Sequence, residues 1–179
     1  MDNSAIVYLL DDKNRIVSVS GPWDEFADEN DGVNVHAADV TGRSIWSFIL
    51  GDVTRMWLNT AFQFARVQAE SIERDYRCDS PDLKRYMRMR IVPNGTGILR
   101  IEHETLATEE REAPVHIRSG SANSIYKIRS RCSFCGCIKD GEEWEEPLPE
   151  HAEEESGRII VMYTVCDECQ RLMPGASTP

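Results

Sequence analysis

Five of the six cysteines fall after residue 131, and four of these form two Cys-x-x-Cys pairs, Cys132 with Cys135 and Cys166 with Cys169, thirty residues apart. A Cys-x-x-Cys turn lets two thiolates converge on one cation, and two such turns supply the four sulfurs that tetrahedral Zn2+ prefers. Four sulfur ligands leave no open coordination position, so the expected role of the metal is structural. Four thiolates also suit an iron–sulfur cluster. Disulfides fit poorly with a reducing compartment, and a thioredoxin-like dithiol needs one pair at a helix start and gives no reason for a second. Cys137 extends the first cluster to three thiols, and the matched spacing assigns Cys132 and Cys135 as the ligands. Cys137 is then a spare, an alternate ligand or a redox-active thiol whose oxidation with a ligand cysteine would eject the metal.

No other constellation carries chemistry. There is no Gly-rich phosphate loop, no Gly-x-Ser-x-Gly elbow, no His-Glu-x-x-His and no kinase signature, so no enzymatic activity is expected. The segment 141–155 holds eight glutamates and no Lys or Arg, which reads as a solvated loop or an acidic docking face.

With 179 residues, 41% hydrophobic and 28% charged, the chain suits one ordinary domain and a small appendage. A net charge of −11 repels phosphate backbones and anionic lipid, which disfavours nucleic acid and membrane surfaces as partners. The start lacks a basic n-region and a long apolar segment, so a cytoplasmic location is expected. A protein partner or a small-molecule signal is left.

These cysteines must be delivered by ordered elements. Residues 126–131 and 159–165 read as strands feeding the two knuckles of a zinc-ribbon-like module over 125–172, followed by a disordered tail at 173–179. Before it, residues 5–10 and 15–20 alternate as a hairpin around Asp11-Asp12-Lys13-Asn14. A short helix starts at Trp23 and a helical turn covers 44–50. A long helix over 52–72 follows, with Asp52 as its cap and Val53, Met56, Trp57, Thr60, Phe64 and Val67 recurring at three- and four-residue steps. Strands at 72–78, 85–92 and 97–103 are joined by Asp79-Ser80-Pro81-Asp82 and Pro93-Asn94-Gly95-Thr96. Met87, Met89, Ile91, Leu99, Ile101 and His103 alternate with polar residues, as on the covered face of an antiparallel sheet. Residues 106–113 read as a short helix or linker, and 109–124 as the boundary between modules.

The order β-β, helices, long helix, β-β-β, with Trp23-x-x-Phe26-Ala27 and Val40-Thr41-Gly42-Arg43-Ser44-Ile45-Trp46 leading to the long helix, resembles a PAS domain over residues 1–108. The resemblance implies an α+β fold with a five-stranded antiparallel sheet and helices on one face, a sensing or interaction role and dimerisation. It also implies a pocket lined by Met87, Met89 and His103, with His103 the candidate for haem ligation. The flavin-reactive Asn-Cys-Arg-Phe-Leu sequence of light-sensing relatives is absent, and Cys78 sits at a strand end instead. The tail resembles the cysteine-rich extension of bacterial PAS-containing sensors and response regulators. The matching residues are Cys132-Ser133-Phe134-Cys135, Ile138-Lys139, Trp144, Leu148 and Cys166-Asp167-Glu168-Cys169. Cys137 and Tyr163-Thr164-Val165 depart from that pattern.

Overall fold

The computed structural model describes residues 5–29, 32, 34–120 and 124–172. β1 (Ile6–Leu10) and β2 (Ile16–Ser20) form the expected hairpin, with Asn14 at positive φ in its turn. The chain then passes through α1 (Trp23–Glu29), α2 (Ala37–Val40), a 3-10 turn at Ile45–Ser47 and α3 (Asp52–Gln68). It returns in β3 (Ile72–Arg77), β4 (Leu83–Pro93) and β5 (Leu99–Glu110). The sheet is antiparallel throughout with order β2-β1-β5-β4-β3, so the first and last of these strands in sequence meet at its centre.

One face of the sheet is apolar: Tyr8, Leu10, Met87, Met89, Ile91, Leu99 and Ile101 are all buried. The opposite face carries cross-strand ion pairs, Arg88 with Asp75 at 2.7 Å and Arg90 with Glu73 at 2.8 Å, as a solvated face should. α3 covers the apolar face with Thr54, Trp57, Leu58, Ala61, Phe62 and Ala65. This stripe is rotated from the one expected, because Met56 and Val67 are exposed. The two alanines let the helix backbone approach the sheet, a contribution that a count of large apolar residues overlooks. Asp52 is the first helical residue and not the cap: Gly51 holds the cap position at φ 81° with no side-chain cap bond. The helix stops at Gln68 because Ala69 turns left-handed, leaving Ile72 to β3.

Two further differences concern the boundary between modules. β5 runs on to Glu110 and pairs along the whole of β4, from Pro93 opposite Leu99 to Leu83 opposite Glu110. The outer half of β5, residues 105–110, is exposed on both faces, so no buried face imposes alternation on it; Lys84 of β4 meets Glu109 across the arm at 2.9 Å. The segment expected as a linker, 109–124, also supplies β6 (Ile117–Ser119). That strand joins β7 (Arg129–Cys132), β8 (Ile138–Asp140), β9 (Glu143–Glu145) and β10 (Ile159–Thr164) in a second sheet ordered β6-β10-β7-β8-β9. β10 runs parallel to both neighbours, and α4 (Asp167–Arg171) follows it. The expected tail, 173–179, lies outside the described residues.

The second sheet does not stand apart. Its own buried cluster is four residues, Val115, Ile138, Ile159 and Val161. Cys132, Phe134, Val165, Cys166 and Cys169 instead belong to the same core as Leu10, Trp57 and Ile91. Gly51 makes the close approach possible, since a Cβ there would lie 2.4 Å from the Tyr163 carbonyl oxygen.

Candidate metal centre

β7 and β10 are parallel neighbours with Cys132 opposite Thr164, so both strands deliver their cysteine pairs to the same end of the sheet. The first knuckle closes when the Gly136 amide donates to the Cys132 carbonyl (3.1 Å) and the Cys132 amide to the Cys137 carbonyl (2.8 Å). Gly136 takes φ 76° in this turn, where a side chain would be strained. The second knuckle places Cys166 before the first turn of α4 and Cys169 within it, with the Gln170 amide donating to the Cys166 carbonyl (2.9 Å). The knuckles are stitched together by the Ser133 amide donating to the Thr164 carbonyl (2.8 Å) and the Cys166 amide donating to the Cys132 sulfur (3.4 Å).

The Sγ atoms of Cys132, Cys135, Cys166 and Cys169 all lie within 4.8 Å of one another, and those of Cys135 and Cys166 are 3.9 Å apart. A tetrahedron with metal–sulfur bonds of about 2.3 Å has edges of about 3.8 Å, so the four sulfurs could hold a metal ion with small adjustments. They are the four that spacing selects. Cys132, Cys166 and Cys169 are buried and Cys135 is half-buried. Hydrogen bonds from Cys132, Cys137 and Cys169 draw the Cys135 thiol down, while hydrogen bonding to Cys132 and Cys135 pushes Cys169 up. A dication bound among them would favour four thiolates.

A residue outside the cysteine motifs fits the same chemistry. Arg74, on β3, is buried, donates to the Cys169 carbonyl at 3.3 Å and lies over the Phe134 ring at 4.6 Å and the Trp57 ring at 5.7 Å. Among the described residues it makes no ion pair with a carboxylate, so an anionic metal–tetrathiolate would offset its buried charge. Nothing in the sequence marks this arginine, because its role arises only when β3 meets the second knuckle. Cys137 stays outside the set of four. Its sulfur faces the Cys135 carbonyl at 4.0 Å, and its thiol is pushed up by hydrogen bonding to Cys135 and by burial.

A second ring of donors, Asp140, Glu145 and His151, is already engaged. His151 bonds Glu145 at 2.8 Å through Nε2 and accepts the Leu148 amide at Nδ1, and Lys127 pairs with Asp140 at 2.9 Å.

The knuckles are locked to the first sheet by charge as well as by packing. Asp79 Oδ2 accepts from Arg77 (2.6 Å), Arg111 (2.9 Å) and Arg131 (3.3 Å), and Glu146 bridges Arg77 and Arg111. The Asp79 side chain is 3% exposed. Burial opposes the charge on Glu146, but hydrogen bonds from Arg77 and Arg111 outweigh it and hold its carboxyl below the usual range.

The sheet residues expected to line a pocket line two. A cavity of about 290 Å³ touches Met89 and His103, and a second of about 340 Å³ touches Met87, His103 and Cys78. Tyr8, Tyr76 and His103 form the partition between them. The Tyr76 hydroxyl and His103 Nδ1 are 2.8 Å apart, and His103 Nε2 lies 3.4 Å from the Tyr8 hydroxyl. Burial lowers the imidazole pKa to about 4 and keeps it neutral. Each ring nitrogen faces a tyrosine hydroxyl, so an axial bond to haem iron would have to displace one of them.

No helix among the described residues is long and apolar enough to cross a membrane. No protein-family model matches the chain, and no curated protein is found to match it. Among solved structures, the chain is similar to a domain of an HTR-like protein from Haloarcula marismortui ATCC 43049, with a TM-score of 0.42 and 10% identity, over 58% of this chain and 99% of that one.

Proposed function

We propose that the protein is a non-catalytic, cytoplasmic signalling or regulatory protein, in which a PAS-like sensing or interaction domain is coupled to a structural zinc site. The observation that carries this reading is that the four clustered sulfurs share one buried core with the sheet and α3. The antiparallel order β2-β1-β5-β4-β3, with the helices inserted between β2 and β3, supports the PAS-like part. Zinc bound by Cys132, Cys135, Cys166 and Cys169 would cross-link two knuckles whose own sheet has little core, and supply folding energy that short strands cannot. The chain's residues do the rest. Phe134, between the first two cysteines, packs against Trp57 of α3 with ring centroids 4.6 Å apart, so any movement of the knuckle is felt in the helix over the sheet. Elemental analysis of the protein purified under reducing conditions tests the reading: about one zinc per chain is expected. Iron would replace the zinc assignment with a cluster, and a metal-free, folded protein would overturn it.

The Cys137 thiol, which donates to the Cys135 carbonyl at 4.0 Å and so sits beside a ligand cysteine, favours a second reading, a thiol-based redox sensor. Peroxide would oxidise one of this pair to a sulfenic acid, releasing water. The other thiol would displace hydroxide to give a disulfide, with loss of the metal. Zinc release at low peroxide that is abolished in Cys137→Ser supports this reading. Release only on general denaturation refutes it.

A further inference from the structure

The smaller cavity is built from three sources. The sheet gives Tyr8 and His103, α3 gives Leu58 and Phe62, and the cysteine module gives Ser133 and Phe134, the two residues between Cys132 and Cys135. The first knuckle is therefore a wall of the cavity. Ser133 Oγ lies 2.6 Å from Thr54 Oγ1 on α3, so the knuckle is tied to the opposite wall by a hydrogen bond as well as by the Trp57–Phe134 contact. Releasing the sulfurs would free this wall and loosen the α3 wall to which it is tied.

The lining also limits what can enter. It contains no Asp, Glu, Lys or Arg. His103 is neutral, and burial pushes Tyr8 and Tyr76 above the usual phenol range. An ion entering this space would lose its hydration without gaining a counter-charge. Most of the lining is aromatic or aliphatic; its polar groups are the Thr54–Ser133 hydroxyl pair, already bonded to each other, the Tyr163 side chain and the Tyr8–His103–Tyr76 partition. The bond from His103 Nε2 to the Tyr8 hydroxyl is long at 3.4 Å, so that hydroxyl retains capacity to bond a second partner. A volume of about 290 Å³ suits a one- or two-ring molecule.

We infer that this cavity binds a small, uncharged, mostly apolar ring compound carrying one hydroxyl or N–H group, and that the metal-loaded knuckle is the wall that completes the site. The inference rests on the zinc reading above and adds the ligand class and a coupling to it. By linkage, a ligand that prefers the loaded form raises metal affinity by the same factor that the metal raises ligand affinity.

The test uses the full chain with its metal and two probes of similar shape, 1-naphthol and the anion 1-naphthoate, followed by titration calorimetry. Naphthol is expected to bind the loaded protein at least tenfold more tightly than naphthoate, and to lose at least tenfold in affinity when a chelator strips the metal. Circular dichroism checks that the stripped protein remains folded. Should it unfold, Phe134→Leu in the loaded protein replaces that arm: it keeps all four cysteines and is expected to weaken naphthol at least threefold with unchanged metal content. Metal partition against a competing chelator is expected to shift toward the protein when naphthol is present. Absence of naphthol binding to the loaded protein overturns the site. Equal affinity with and without metal, or an unchanged affinity in Phe134→Leu, overturns the coupling. A protein that purifies without metal refutes the zinc reading instead, which separates the two failures.

Discussion

The two sheets are held by different physics. In the first, strands of five to twelve residues pair in continuous antiparallel register, and the apolar face is filled by α1, α3 and its own side chains. In the second, strands of three to six residues enclose a four-residue cluster, and the remaining stabilisation comes from outside it. Those outside sources are the sulfur site, the Phe134 and Arg74 contacts and the charges around Asp79. A small sheet with little core of its own thus becomes rigid only where it is fastened to a larger one. The first sheet should tolerate loss of the second better than the reverse.

The largest expected effect comes from cutting the sulfur fastening. Cys166→Ser should abolish tight metal binding and melt the second sheet while the first retains a cooperative transition. Two-probe denaturation, following near-ultraviolet signal and exchange in 129–164, should show the two transitions separating. A single unchanged transition would mean that the second sheet is self-sufficient. Next in size is the charge fastening. Asp79→Asn leaves Arg77, Arg111 and Arg131 facing one another with the buried negative charge gone, and should cost about 3–5 kcal/mol, read by denaturant unfolding. A loss under 1 kcal/mol would show that Glu146 alone compensates.

A third prediction concerns the first sheet. His103 has its pKa depressed to about 4 by burial, so below the ordinary histidine value of 6.5 the unfolded chain takes up a proton that the folded chain refuses. Stability on this account is complete above pH 6.5 and falls as pH drops toward 4, by about 3 kcal/mol in all. His103→Gln should remove that part of the slope, measured as the difference between variant and parent unfolding free energies at pH 7 and pH 4. Parallel slopes would show that the imidazole protonates in the folded state. The smallest effect belongs to the outer arm of the β4–β5 hairpin. Breaking the Lys84–Glu109 pair with Lys84→Ala should lower stability only slightly, read by denaturant unfolding, and the loss should vanish in high salt.

The same contrast governs what the sequence revealed. The four sulfurs were legible because Cys-x-x-Cys is a local signal, and its spacing already separated Cys137 from the set. The hairpin, the order of elements along the chain and the inward run of Met87, Met89 and Ile91 were legible from turn chemistry and alternation. The rotated face of α3 was not, because Ala61 and Ala65 are buried for their smallness. β6 and the outer half of β5 were missed for a related reason: one is three residues long, and the other has polar residues on both faces. Arg74 and Asp79 were invisible as parts of the site. Their partners lie 95 and up to 52 residues away in sequence, and nothing local distinguishes a buried ion from a surface one.

The cysteine cluster sits where the cores of the two sheets merge, and metal bound there should close that shared core. Hydrogen exchange read by mass spectrometry, on metal-loaded and chelator-treated protein, tests it most directly. Removing the metal should speed exchange in β7 and β10 and also in α3 from Trp57 to Phe62, where Phe134 packs. Faster exchange confined to 117–172, with α3 unchanged, would contradict it.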